Sequence, residues 1–311
     1  MNRAVTFLLL VAIIYSCNQR GKDGKVLDTP TTGSVRIVAD ESLRPLVEAE
    51  VETFNGIYTK ADVKAIYLPE SEAFDYLFKD SVRLAVVTRR LTADEKAYFR
   101  QNQISAEEVD VAVSAIALIV HPENPDTVVS IAQLQDMLKG KITTWNQIGS
   151  KSKNGIEIVF DNPNSGLIRY LKDSIAKVEQ LPPNCFAVKT NQDVVEHVSK
   201  NVNAIGLIGV EWISDDPASN RFLEQINVVG VAGDSIPFLP YQAYMALEHY
   251  PLMRTVTVIN AEPRTGLATG FSSFFASERG QRIVLKTGLL PKTMPLRLVE
   301  VNPKPFEIEK Q

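Results

Sequence analysis

The chain is 311 residues long, 45% hydrophobic and 23% charged, with 33 basic against 37 acidic residues and a net charge of −4. That balance suits a globular protein of two lobes, because a single core rarely grows past ~250–300 residues, and it lacks the basic excess that nucleic-acid binding requires. The three histidines, His121, His197 and His249, stand far apart without metal-ligand spacing, so the sequence points to no metal site.

Asn2 and Arg3 open the chain, followed by an apolar run over 4–15 and then Ser16-Cys17. A helix of that length spans ~18 Å, short of a ~30 Å bilayer core, so residues 1–16 read as an export signal peptide. The segment Ile14-Tyr15-Ser16-Cys17 resembles a lipoprotein signal, whose usual form is Leu-Ala-Gly-Cys. Tyr15 departs from that form, and a plain secretory signal with an incidental cysteine is the alternative. In the lipoprotein reading Cys17 is the lipidated N-terminus, and Cys185 is left without a partner as a small buried hydrophobe. Residues 17–33 are polar and rich in glycine, threonine and lysine, and read as a flexible tether with an r.m.s. span of ~20–25 Å.

From Ser34 onward, strand and helix patterns alternate. Strands are expected over 35–39, 63–68, 84–88, 109–120, 156–160 and 205–208. Helices are expected over 43–58, 70–78, 92–102, 131–138, 167–178, 193–200, 271–275 and 280–286. Thr92 with Glu95 three residues on makes a capping-box pattern. The end beyond Pro303 is expected to be loose. Repeated β-α units of this kind argue for an α/β architecture of open sheets flanked by helices.

One stretch is more specific. Residues 115–149, AIALIVHPENPDTVVSIAQLQDMLKGKITTWNQIG, run from a buried strand through a proline-bounded turn into a helix, a Gly140-centred exit and a tryptophan-bearing loop. This string resembles the PstS-type phosphate-binding protein family of ABC importers, in lipoprotein form. Members of that family carry an apolar strand ending in N-P-x-N-P, then a helix, then G-K-I-T-x-W. Further strings follow in family order: TNQDVVEHVSKNVNAIGLIG, YPLMRTV and GLATGFSSFFASERGQRIVLKTGLLP. The resemblance implies a two-lobed periplasmic binding protein (type II) with open, mostly parallel sheets and a ligand cleft between lobes. It divides the chain into lobe 1 over 34–114 plus 242–311 and lobe 2 over 115–241. It implies high-affinity capture of inorganic phosphate, or a related small oxyanion, for delivery to an ABC permease and its ATPase. The protein would be a monomer without cofactor or enzymatic activity, facing the periplasm and held to the membrane through Cys17.

Open α/β sheets bind ligands beyond the carboxyl ends of their strands, where helix starts present unpaired amides. The turn Asp40-Glu41-Ser42-Leu43 is one such place; Ser42 is a cap by its own chemistry, and the resemblance makes Ser42 and the Leu43 amide anion contacts. The turn 161–167, DNPNSGL, is a second. The family often reads R-x-x-x-S-G-T there, so Ser165 and Gly166 match, while Asp161 and Leu167 replace the arginine and threonine. Arg169 is the candidate replacement cation, with a surface salt bridge as its alternative. A third place is Thr88-Arg89-Arg90, where Arg89 at a strand end offers a guanidinium fork, or else belongs to a solvated loop. Glu70 and Glu72 replace a glycine-serine loop of the family, which implies that a contact is missing there. Asp161 and Asp40 are candidate acceptors for a proton on hydrogen phosphate. Trp145 and Trp212 read as packing residues, and Tyr241, Gln242 and Tyr244 as lining for a hinge.

No G-x-S-x-G, P-loop or histidine-carboxylate spacing appears in the chain. The competing reading is a binding-lobe protein repurposed as an anion sensor or surface interaction module with an altered pocket.

Overall fold

A computed structural model describes residues 28–214, 224–233 and 236–296. Cys17, the signal segment and the end beyond Pro303 lie outside the described residues.

The first half of the molecule is built on a parallel triplet. Strand β1 (Gly33–Asp40) pairs in register with β2 (Ala61–Leu68), and β3 (Leu84–Val87) lies parallel on its other side. Three helices connect these strands onward: α1 (Arg44–Ile57), α2 (Glu70–Phe78) and α3 (Ala93–Gln101). In α1, Leu46, Val47 and Phe54 fall on one buried face, and Phe54 meets the Phe271 and Phe274 rings at 5.5 and 5.3 Å. The Thr92–Glu95 capping box forms as expected and starts α3.

The long strand β4 (Glu107–Val120) joins the two halves. Up to Ala115 it pairs antiparallel with β11 (Met253–Asn260), which in turn lies against β3. From Ile116 it pairs instead with β8 (Ala204–Gly209), and near its end with β9 (Asn227–Ala232). A second parallel triplet follows, with β6 (Glu157–Phe160) between β8 and β7 (Cys185–Ala187). Short strands β5 (Val128–Ser130), β10 (Pro237–Phe238) and β12 (Leu290–Pro291) trim the edges. The helices of this half and of the returning chain are α4 (Ile131–Leu138), α5 (Gly166–Tyr170), α6 (Asn191–Lys200), α7 (Gln242–Ala246), α8 (Leu267–Ala276) and α9 (Glu278–Lys286). The fold is therefore α/β with two lobes, each a parallel triplet extended by antiparallel strands where the chain crosses over.

Three local readings change. The helix expected over 167–178 is α-helical only to Tyr170, then widens into a π-turn over Leu171–Ala176 that ends at Lys177 with φ 54°. The strand β11 was legible in the sequence only as a similar string; its Thr255–Ile259 run is β-branched throughout, but Arg254 interrupts the apolar pattern. The tether does not extend to residue 33. Asp28 caps α8 by accepting the Leu267 amide at 3.0 Å, and a methyl on Gly270 would fall 1.8 Å from the Pro30 carbonyl oxygen. Among the described residues no helix is long and apolar enough to cross a membrane.

Candidate functional site

The carboxyl ends of β1, β2, β3 and β6 converge on one place, as expected for strand-to-helix turns of open sheets. From β1, Asp40 begins a single 3-10 turn over Glu41–Leu43, and its Oδ1 accepts the Ser42 amide at 2.9 Å. Its Oδ2 accepts the Gly166 amide at 2.8 Å, from the first residue of α5 in the other lobe. One carboxylate thus receives an amide from each of the two turns singled out in the sequence. Leu43 and Leu167 place their side chains in the core, so any contact they make to a ligand is through the backbone.

Glu70, the first residue of α2, points into the same place rather than leaving it empty. Its Oε2 accepts the Thr88 amide at 2.7 Å and the Thr88 hydroxyl at 2.6 Å. Its Oε1 accepts from Nε of Arg169 at 2.6 Å, across the lobes. Arg169 also donates through Nη2 to the Thr88 carbonyl and hydroxyl oxygens, both at 3.2 Å. The expected gap at the missing glycine-serine loop is therefore filled by a carboxylate. That replacement was invisible in the sequence, where Glu70 read as a helix-start residue.

Ser165 caps α5 by accepting from the Ile168 amide at 3.4 Å and donates its hydroxyl to Asp161 at 2.6 Å. Asp161 also accepts from the Asn191 amide group, which bridges to Glu41 of the first lobe. Burial and the Asp40 charge push the Asp161 carboxyl up to about 7. Burial and the neighbouring Glu70 likewise raise Asp40. Glu70 is pulled the other way: burial would raise it, but the Arg169 charge and the bonds from Arg169 and Thr88 prevail and hold it low.

Beneath these groups lies a pair that sequence reasoning missed. Arg254, on β11 and 3% exposed, donates through Nη2 to the Ser42 hydroxyl at 3.0 Å and to Glu211 at 3.3 Å. Glu211, just past β8, accepts from the Ser114 hydroxyl at 2.8 Å. Nε and Nη1 of Arg254 are buried without a protein partner. The available signal was a lone arginine immediately before a β-branched run. Trp212 also reaches across, donating from Nε1 to the Ser42 carbonyl at 2.7 Å.

Arg89 is not among these groups. Its guanidinium grips Glu95 at 2.7 and 2.8 Å and lies 3.7 Å over the Phe74 ring. It lines a cavity of about 240 Å³ at the mouth of the cleft, together with Glu70, Ser165, Arg169 and Lys172. Arg90 pairs with Asp110 at 2.6 Å. Trp145 is buried and donates to the Asn203 carbonyl. Cys185 is half-buried and free, and burial pushes its thiol up to about 12.

Comparison with known proteins gives this geometry its context. The chain is 24% identical over 286 residues to the phosphate-binding protein PstS of Pseudomonas aeruginosa, covering 86% of this chain and 85% of that one. It is 23% identical over 306 residues to PstS of Bacillus subtilis, covering 94% and 95%. A solved structure of a putative phosphate ABC transporter substrate-binding protein with bound phosphate, from Clostridium perfringens, is 25% identical with a TM-score of 0.72. That similarity covers 84% of this chain and all of that one. The PBP superfamily domain profile matches residues 26–279, and the chain belongs to that superfamily, on its PstS-type branch.

Proposed function

We propose that this protein captures inorganic phosphate, or a closely related oxyanion, between its lobes and delivers it to an ABC import permease. The observation that carries the reading is the double amide contact: Ser42 from one lobe and Gly166 from the other donate to the same negatively charged group. A phosphate oxygen in place of the Asp40 carboxylate would receive those two amides. The Thr88 amide and hydroxyl and the Arg169 guanidinium would complete the set, and Ser165 and Asp161 would flank it. Four to six such bonds, several charge-assisted, support micromolar binding, about −8 kcal/mol after association costs. Donors from both lobes meeting at one place support a binding role, as do relatives named as phosphate-binding proteins.

The lobes in this reading are 34–114 plus 242–311 and 115–241, with closure as a hinge motion where β4 and the returning chain cross. Cys17 would carry a lipid, holding the protein to the outer face of a membrane after the signal is removed. The mature protein would act as a monomer beside its permease and ATPase.

Calorimetric titration of the purified protein with phosphate tests this. Arg169→Ala is expected to weaken binding at least tenfold, and Arg89→Ala to weaken it less, because Glu95 already fills the Arg89 fork. Equal effects of the two would move the site to the cleft mouth. Gly166→Ala is a second check. A methyl there would lie 2.3 Å from Thr88 Oγ1, 2.4 Å from Asp40 Oδ2 and 2.7 Å from Glu70 Oε2. The variant should hold the turns apart and abolish phosphate binding while the fold persists.

One observation favours a second reading, an anion sensor or surface module with an altered pocket. The donors of the cleft are occupied by the protein's own carboxylates. A flat titration with phosphate, sulfate, molybdate and organophosphates would favour it.

A further inference from the structure

The donors aimed into the cleft are already engaged. Asp40, 0% exposed, holds the Ser42 and Gly166 amides, and Glu70, 2% exposed, holds the Thr88 amide and hydroxyl and the Arg169 Nε. Between them the two carboxylates bind donors on both lobes, which is the work a bound oxyanion would do. The closeness of Gly166 to Thr88, Asp40 and Glu70 leaves no room for an additional group there. Glu41, Asp161 and Glu211 stand in the same cluster, so five carboxylates share three arginines: Arg169 beside Glu70, Arg254 beside Asp40, Asp161 and Glu211, and Arg44 beside Glu41. Adding a dianion with every carboxylate in place would set like charges at contact in a buried site.

Resting on the proposed function, we infer that Glu70 and Asp40 are tethered competitors. In the ligand-free protein their carboxylates occupy the donors, hold the lobes together, and set affinity because they must leave before phosphate enters. A tethered group competes at a high effective concentration, so it lowers the apparent affinity for every free anion. The two exits differ. Glu70 lines the 240 Å³ mouth cavity beside Arg89, Arg169 and Lys172, so a side-chain rotation moves its charge toward other cations. Asp40 is anchored on the Ser42 amide within its own turn and loses its cross-lobe bond only when the lobes part.

A merely structural salt bridge and a competitor give opposite results when Glu70 is removed. Loss of a structural bridge leaves phosphate affinity unchanged or lower; loss of a competitor raises it. The experiment pairs small-angle scattering of the purified protein in phosphate-free buffer with calorimetric titration by inorganic phosphate, for wild type and Glu70→Ala. The ligand-free wild type is expected to be compact and to change little in radius of gyration when phosphate is added. Glu70→Ala is expected to be expanded without phosphate, to contract with it, and to bind it at least tenfold more tightly than wild type. If Glu70→Ala does not fold, Glu70→Gln, which keeps the shape and removes the charge, carries the same direction of change. A Glu70 variant that is as compact as wild type without phosphate, or binds no more tightly, overturns the inference and leaves phosphate capture standing on the wild-type titration. No phosphate binding by either protein overturns the competition together with phosphate as the ligand, whatever the variant's radius of gyration.

Discussion

Arg254→Met is expected to lower the free energy of unfolding by about 3–5 kcal/mol, the usual cost of removing one partner from a buried ion pair. Arg254 and Glu211 have side chains 1% and 0% exposed, and their contact is 3.3 Å. Burial raises the Glu211 carboxyl, and the Arg254 charge opposes that rise. Without Arg254, Glu211 keeps the Ser114 hydroxyl as a donor but loses its cation, and Ser42 loses a donor to its hydroxyl. Urea unfolding measures the loss. The double variant Arg254→Met/Glu211→Gln removes both charges and should recover most of it. A single variant within about 1 kcal/mol of wild type would contradict a buried, charged pair. Because Arg254 adds positive charge close to Asp40 and Asp161, its loss should also weaken oxyanion binding in whatever protein still folds.

Glu50→Met is expected to act in the opposite direction. Glu50 lies on the buried face of α1, 0% exposed, and neither carboxylate oxygen has a hydrogen-bond partner. Burial pushes its carboxyl up to about 9, so the folded protein holds a proton that the unfolded chain releases near pH 4.5. The folded state binds more protons between those limits, and stability therefore falls as pH rises from about 4.5 to 9. At pH 7 the accumulated penalty is roughly 3 kcal/mol. Methionine fills a similar volume without a titrating group, so Glu50→Met should be more stable by about that amount at pH 7. The gain should shrink toward zero near pH 4. Asp161, raised to about 7, contributes a slope of the same sign in both proteins, so the difference between them isolates Glu50. A gain that is constant from pH 4 to 9, or a loss at neutral pH, would show that the Glu50 carboxyl is solvated or paired.

Much of the scaffold was legible in the sequence because its helices carry their own start signals. The Thr92–Glu95 box begins α3, and the apolar spacing of Leu46, Val47 and Phe54 marks α1. Helices α2 and α4 occupy 70–78 and 131–138, as their patterns indicate. The strands of the crossover were harder. The crossover strand β11 has the right β-branched residues, but periodicity cannot say that it returns beside β4 from more than a hundred residues away. The site divides in the same way. Ser42, Thr88, Ser165, Gly166 and Arg169 were legible from strand-end position and family spacing, and the structure brings them together around Asp40 and Glu70. Asp40 and Asp161 were legible as acidic acceptors and are buried there; what could not be read was that Glu70 turns inward beside them. Glu70 and Glu72 look alike at a helix start, and only the cross-lobe approach of Arg169 distinguishes Glu70. Arg89 shows the converse, since Glu95, the acidic member of its own capping box, claims the guanidinium first.

A crystal structure grown in phosphate tests the central claim most directly. The expected result is a phosphate ion with oxygens accepting the Ser42 and Gly166 amides, with the Asp40 carboxylate moved off those amides and the Glu70 carboxylate moved off Thr88 and Arg169. Phosphate absent from the cleft, with Asp40 still bridging both amides at saturating concentration, would contradict it.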